Sequence, residues 1–315
     1  MSLTNPRLTD GVQLPPTDST IAIAAPGYDY RPTGQRVGKG RRRASATVLH
    51  IVLVVAGVAM VFPFIWMLLT SFKSLPQLLQ DPLAFWPQPW TFDNYAEAWN
   101  AVPFGQAYVN SIYIAALVVV GTLITASMAG YAFARIRFRG SKTLFVLFLA
   151  TQMIPAQVTL IPFYLLMTQL GWVDSHLALI VPGMMANPFA VFLMRQFVLS
   201  LPKELEEAAL VDGAGRWRIF WSVVLPNLKP GLAALSIIVS LSVWNAFLFP
   251  LVLLNTPDLF TVPLLLASFQ GQFGSINYGL VMAASAISTI PMLIVFVIGQ
   301  RRILNSMAAS GLGGR

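Results

Sequence analysis

Six runs of about twenty mostly apolar residues recur along this chain, at about 48–70, 107–132, 143–168, 177–199, 231–254 and 278–299. Each is long enough to cross the hydrocarbon core of a bilayer as a helix. No Asp, Glu, Lys or Arg lies deep in any of them. A lipid-exposed segment must satisfy its own backbone N–H and C=O groups, and an isolated apolar run does so only as a helix. The pattern therefore predicts an all-α membrane protein with six transmembrane helices. Composition agrees: 10% of residues are charged, against about 25% in a soluble domain. The 315 residues would allow about two soluble domains, but one bundle of spans, 46–305, is the natural unit here.

Orientation follows from Lys and Arg. Arg7, Arg31 and the cluster Arg36, Lys39, Arg41, Arg42, Arg43 precede the first run. Arg135, Arg137, Arg139 and Lys142 join the second run to the third, and Lys203, Arg216, Arg218 and Lys229 join the fourth to the fifth, with Arg195 close by at the end of the fourth. Arg301, Arg302 and Arg315 follow the sixth, leaving Lys73 alone on the other side. Basic residues mark the cytoplasmic face of a membrane protein, so both termini are expected in the cytoplasm. The net charge of +8 is then membrane topology rather than a nucleic-acid surface.

Residues 1–45 are rich in Pro, Gly, Thr and Asp without helical periodicity, which predicts a disordered cytoplasmic tail. So long a polar segment does not suit a cleavable leader, and the first run is expected to stay as a signal anchor. Residues 306–315 form a short C-terminal tail. Two external segments are substantial. Residues 73–106 carry Trp86, Trp90, Tyr95 and Trp99; residues 255–277 carry the polar run Gln270, Gly271, Gln272, Phe273. Each reads equally as an interfacial connector or as a contact with a partner or solute outside the membrane.

Covalent chemistry finds no footing. There is no Cys for a disulfide or thiolate, and the isolated His50 and His176 make a poor metal site. Gly34-x3-Gly38-Lys39-Gly40 is one residue short of a nucleotide-binding P-loop and lacks its Ser or Thr. No acid–base pair or nucleophile triad emerges, so the chain is expected to be no enzyme and to bind no cofactor of its own. Proton- and ion-coupled carriers place ionisable groups inside their spans, and many contain internal repeats. Neither is evident, which counts against a stand-alone secondary carrier.

Polar residues do occur deep in the runs, among them Gln152, Asn187, Asn245 and Ser288. They serve either interhelical hydrogen bonds or a hydrophilic solute path. Trp244-Asn245-x-Phe247 sets an aromatic face beside an amide mid-run, which makes Trp244 and Asn245, with Gln152 and Asn187, the candidates for such a path.

Between the fourth and fifth runs, residues 201–226 form an acidic loop containing Glu207-Ala208-Ala209-x3-Gly213-x9-Val223-x-Leu225-Pro226. Glu204, Glu206 and Glu207 suit the positive start of a helix, and Asp212-Gly213 reads as its stop, with Gly free to adopt a left-handed cap. Trp217, Phe220, Trp221 and Val224 follow at spacings that share one helical face, a face expected along the membrane surface or the span ends, with Pro226 breaking it. Nothing in spanning a bilayer requires this segment. It is expected to be read by something outside the membrane.

The spacing resembles the EAA loop of bacterial ABC importer permeases, with Val223 in place of the usual Ile. Tyr131-Ala132-Phe133-Ala134-Arg135, Pro155-x5-Ile161-Pro162, Leu201-Pro202-x-Glu204-Leu205 and Trp244-Asn245-x-Phe247 extend the likeness to the sugar-uptake branch, its maltose-type six-span second permease. The resemblance implies the type I ABC importer permease fold in a bacterial inner membrane. It makes the loop a coupling helix on a separate cytoplasmic ATPase dimer, which alone uses ATP and Mg. Glu207, Ala208, Ala209 and Gly213 would form that contact, flanked by Asp212 and Ala214. A homologous second permease would complete the pore, and an extracytoplasmic solute-binding protein would deliver a sugar, met by the 255–277 segment and its Gln270–Phe273 run. Importers of glycerol phosphate, phosphate, amino acids or peptides share the loop and stay open as alternatives. The tail after 305 keeps only a Gly-rich echo of the family's ending.

Overall fold

The computed structural model describes residues 39–185, 187–269 and 277–312, and every regular element among them is helical. The chain divides into two units, Met1–Gly57 and Val58–Arg315, and all packing below lies within the second. Residues 1–38 of the expected tail lie outside the described residues. Residues 39–45 already belong to the first helix, α1 (Lys39–Ser71). Two short helices, α2 (Leu75–Gln80) and α3 (Asp93–Asn100), lead into the long α4 (Phe104–Arg135). Then follow α5 (Ser141–Ala150), α6 (Ala156–Gln169), α7 (Leu177–Met184) and α8 (Pro188–Ser200). The acidic loop forms α9 (Glu204–Val211), α10 (Arg216–Ile219) and α11 (Leu225–Asn227). The chain ends with α12 (Lys229–Trp244), α13 (Leu248–Leu253), α14 (Val262–Ser268) and α15 (Tyr278–Leu312).

Four stretches are long and apolar enough to cross a membrane: Thr47–Ser71, Phe104–Arg135, Leu177–Ser200 and Tyr278–Gly299. Two helix pairs add up to six if each bent pair counts as one span. Ser141–Met153 meets Ala156–Gln169 at 98°, and Arg216–Asn227 meets Lys229–Trp244 at 75°. The expected third run is thus sharply bent, and its cause is local. Pro155 disfavours helical geometry in the residue before it, and Ile154 is extended, with φ −79° and ψ 116°.

The fourth run is interrupted too. Asn187 precedes Pro188 and caps α8, its Oδ1 accepting from the N–H of Phe189 at 2.9 Å and Ala190 at 3.3 Å. The carbonyls left free at the end of α7 are met from α4. Thr122 donates to Gly183 at 3.0 Å and Thr125 to Met184 at 2.8 Å, as breaks in a membrane helix require. The fifth run, expected as one stretch over 231–254, corrects to α12 and α13 with a gap. At Asn245 the side-chain amide donates to the Leu241 carbonyl at 2.8 Å, closing the helix where a local side-chain bond competes with its continuation. At the other end, α15 continues past the expected boundary at 305 to Leu312.

The core gathers on α4, which packs against α7, α8, α12 and α14. Ile114, Val118 and Ala126 of α4 are buried with Val191 and Met194 of α8 and Leu235 of α12. The segment after α13 is tied to α4. Asn110 donates to the carbonyls of Asp258 and Phe260, at 2.8 and 3.1 Å, and Ser111 accepts from the Val262 N–H at 2.9 Å. Lys73 is fully buried, its ammonium 4.6 Å over the Trp66 ring. Burial lowers its pKa, partly offset by Asp81.

Asp174 fastens the turn before α7 to the chain after α13. Its carboxylate accepts from the N–H groups of Asn255 at 2.8 Å and Thr256 at 2.9 Å, and from the Thr256 hydroxyl at 2.5 Å. The Thr256 hydroxyl, then these N–H groups, hold its pKa below the ordinary 3.8. A depressed carboxylate stabilises the fold above its unfolded pKa and loses that contribution as pH falls through the folded one. Thermal unfolding of the wild type is therefore expected to weaken below about pH 4 more steeply than that of Asp174→Asn, which has no charge there to lose.

Candidate functional site

The first helix of the acidic loop folds as its sequence directs. Leu201, before Pro202, is extended at ψ 137° and ends α8. Glu204, Glu206 and Glu207 occupy the first turns of α9, where carboxylates favour the positive helix end. At the far end the Gly213 N–H donates to the Leu210 carbonyl at 3.0 Å and the Ala214 N–H to the Ala209 carbonyl at 2.9 Å. With Gly213 at φ +77°, this is a Schellman cap. Ala209 and Ala214 then meet the cluster of Ile219, Phe220 and Val224. Of the expected docking residues, Ala209, Gly213 and Ala214 thus build the cap, while Glu207, Ala208 and Asp212 stay exposed.

A Cβ at Gly213 would meet nothing within 4 Å, so only its backbone conformation resists substitution. Gly213→Ala is expected to cost about 1–2 kcal/mol and Gly213→Asn less, because Asn tolerates the left-handed region. Thermal unfolding of the purified protein reads the order.

Three exposed apolar residues were missed by the sequence reading. Val211 is 88% exposed, with Leu205 and Leu210 also exposed. Ala208 and Val211, three apart on α9, share a face. An exposed Val at the end of an acidic helix is the signal that could have found them.

The larger omission is the contact that fixes α9 to the bundle. Arg135, at the last turn of α4, brings Nε to 2.7 Å from the Glu206 Oε1, with side chains 7% and 14% exposed. The approach lacks in-line hydrogen-bond geometry, so it is chiefly Coulombic. The same guanidinium donates to the Val198 carbonyl at 3.0 Å and the Leu201 carbonyl at 2.6 Å. The Tyr131 hydroxyl donates to the other Glu206 oxygen at 3.2 Å. One fork thereby ties the end of α4, the end of α8 and the start of α9. Next to it, Arg195 lies 4.6 Å over the Phe145 ring and donates to the Phe133 carbonyl at 3.3 Å.

Beyond α9 the expected shared face of Trp217, Phe220, Trp221 and Val224 is corrected. Phe220–Val224 is a π-helical turn, which places an extra residue per turn and rotates the face. Ile219, Phe220, Val224 and Leu228 are buried, while Trp217 is 62% and Trp221 47% exposed. Pro226 does not break the helix. The π turn bonds the Leu225 N–H to the Phe220 carbonyl just ahead of it, and the bend comes at Leu228, before α12.

The candidate path residues are held differently from one another. Trp244 is buried, donating to the Ser288 carbonyl at 3.2 Å and set edge-on to Tyr108. Asn245 and Asn187 are exposed helix caps, and Gln152 is exposed in a single 3-10 turn. Among the described residues no hydrogen bond joins any two of the four. Gln270, Gly271, Gln272 and Phe273 lie outside the described residues.

Residues 121–308 match the family model described as "Binding-protein-dependent transport system inner membrane component". The chain is 32% identical over 275 residues to the diacetylchitobiose uptake system permease protein NgcG of Streptomyces coelicolor, covering 87% of this chain and 91% of that one. It is 37% identical over 257 residues to the arabinooligosaccharides transport system permease protein AraQ of Halalkalibacterium halodurans, covering 81% and 91%. A crystal structure of a bacterial ABC transporter involved in import of the acidic polysaccharide alginate aligns with TM-score 0.75 at 26% identity, over 84% of this chain and 98% of that one. The chain belongs to the family of binding-protein-dependent transport system inner membrane components, and its relatives are permeases of sugar ABC transporters.

Proposed function

We propose that this chain is the membrane-spanning permease subunit of an ATP-driven, binding-protein-dependent sugar importer in a bacterial inner membrane. It forms half of a pore with a homologous second permease, receives solute from an extracytoplasmic binding protein and seats an ATPase dimer on α9. Hydrolysis of ATP with Mg belongs to that dimer. Both termini lie in the cytoplasm, the side on which basic residues collect. The relatives' permease names and their sugars support the substrate class.

One observation carries the reading. A capped helix with Glu207, Ala208 and Val211 exposed is tied at its start, through Arg135 and Glu206, to the ends of α4 and α8. Movement imposed on α9 from outside reaches two of the long apolar segments through one buried contact.

The test is uptake of radiolabelled diacetylchitobiose and arabino-oligosaccharides in cells lacking the chain, restored by wild type or by Glu207→Lys. The variant is expected to reach the membrane at normal level and to lose about tenfold in uptake, the equivalent of about 1.4 kcal/mol of docking. Unimpaired uptake and sugar-stimulated ATPase activity in the variant would remove α9 from the docking role.

A further inference from the structure

Beside the Arg135–Glu206 contact lies an open cleft of about 680 Å³ between the α4–α5 turn, α8 and α9. Its wall holds six cations, Arg135, Arg137, Lys142, Arg195, Lys203 and Arg216, against two carboxylates, Glu206 and Glu207. Arg135 is engaged by Glu206, and Arg195 by Phe145 and the Phe133 carbonyl. The other four are exposed, and among the described residues their side chains are engaged in no hydrogen bond or ion pair of the kind that holds Arg135 and Arg195. Ser141 and Lys142 also bring to the cleft the first turn of α5, which contains no acidic residue and whose end carries positive potential. So many cations on one wall repel each other unless an anion sits among them.

The cleft has an apolar side as well. Phe133, Ile136 and Phe138 line it, with Phe138 40% exposed, and Phe133 stacks toward Phe145 of α5. A free anion or an acidic peptide uses the cations but leaves this side idle. An anionic group carrying acyl chains uses both, and basic pockets at the cytoplasmic ends of membrane helices are suited to such headgroups.

We propose that this cleft is a binding site for the phosphate headgroup of an anionic phospholipid such as phosphatidylglycerol. The phosphate sits among Arg137, Lys142, Lys203 and Arg216, and the acyl chains leave past Phe138. Because these cations come from the α4–α5 turn, the start of α5 and both flanks of α9, the lipid bridges these segments and steadies the docking loop. The inference rests on the proposed orientation, which puts the cleft at the cytoplasmic leaflet.

The test uses the full chain purified with the subunits that accompany it, in nanodiscs of phosphatidylcholine with or without phosphatidylglycerol. Retained phosphatidylglycerol is counted by native mass spectrometry, and thermal unfolding is followed alongside. Wild type is expected to retain the lipid and unfold at a higher temperature with it. Arg137→Gln with Lys142→Gln should lose roughly tenfold in retention and lose the thermal shift. Arg137→Lys with Lys142→Arg should keep both. Both positions are exposed, so folding is not at issue. Equal retention by the Gln variant overturns the site. The same shift from inorganic phosphate in pure phosphatidylcholine assigns it to a free anion, and loss of accompanying protein with lipid retention intact assigns it to an acidic partner; either overturns the lipid. Co-purification of an ATPase is read separately, so failure of the proposed function is not mistaken for failure of the lipid site.

Discussion

Arg135→Ala is expected to destabilise the protein by about 3–5 kcal/mol, the cost of stranding one partner of a buried ion pair. Glu206 would remain mostly buried with only the Tyr131 hydroxyl against it. The carbonyls of Val198 and Leu201 would lose their donor at the same moment. Arg135→Lys is expected to recover only part of the loss, because one ammonium cannot match the guanidinium fork. In a double-mutant cycle with Glu206→Ala, the two losses should fall well short of adding, since the second mutation removes the stranded charge. Thermal unfolding in detergent reads the energies. Uptake should fall further than the amount of folded protein, because α9 would no longer move with α4 and α8. Additive losses would mean that the two side chains do not interact, and uptake that merely tracks folded protein would mean that the fork only stabilises.

Gly130→Leu is expected to leave almost no folded protein in the membrane, and Gly130→Ala to cost about 1–3 kcal/mol, as overpacking does. A Cβ at Gly130 would lie 2.8 Å from the Arg195 backbone nitrogen and 2.8 Å from the Met194 Cβ. Backbone cannot rotate aside as a side-chain tip can, so α4 and α8 would have to separate. That separation would also pull Arg135 from the end of α8. Gly57→Ala is the control, since its Cβ would meet nothing within 4 Å. It should be neutral or gain up to about 1 kcal/mol of helix propensity. Fluorescence-detected size exclusion and thermal unfolding would show it if the two glycines behave alike.

Local signals in the sequence were legible where the chain itself decides the outcome. The stop at Asp212-Gly213 reads from two residues, because a left-handed cap needs little beyond its own backbone. The apolar runs show where long helices lie, but not that Pro155 turns one of them through 98°. A proline inside an apolar run is compatible with a mild kink or a full break. A 3.6-residue period puts Trp217 and Trp221 on the face of Phe220 and Val224, and the π turn over this segment separates them. Pro226 has no N–H to return to the preceding turn, and in sequence alone a break and a wider turn at such a residue look the same. The Arg135–Glu206 contact was out of reach for a different reason. Nothing in either residue's neighbourhood names the other, and only the packing of α4 on α8 brings them together. Trp244 likewise looks like a solute platform by spacing, and turns out to lend its indole N–H to the α15 backbone.

The Schellman cap on α9 bears on how tightly any partner can hold this loop. Ordering one residue costs about 1–2 kcal/mol of backbone entropy, and a segment that folds only when bound spends that from its binding energy. The eight residues of α9 are closed at their end by two internal hydrogen bonds and held at their start by Glu206. A groove that receives this helix therefore meets a finished shape. A partner of that kind would spend none of its binding energy on ordering the helix.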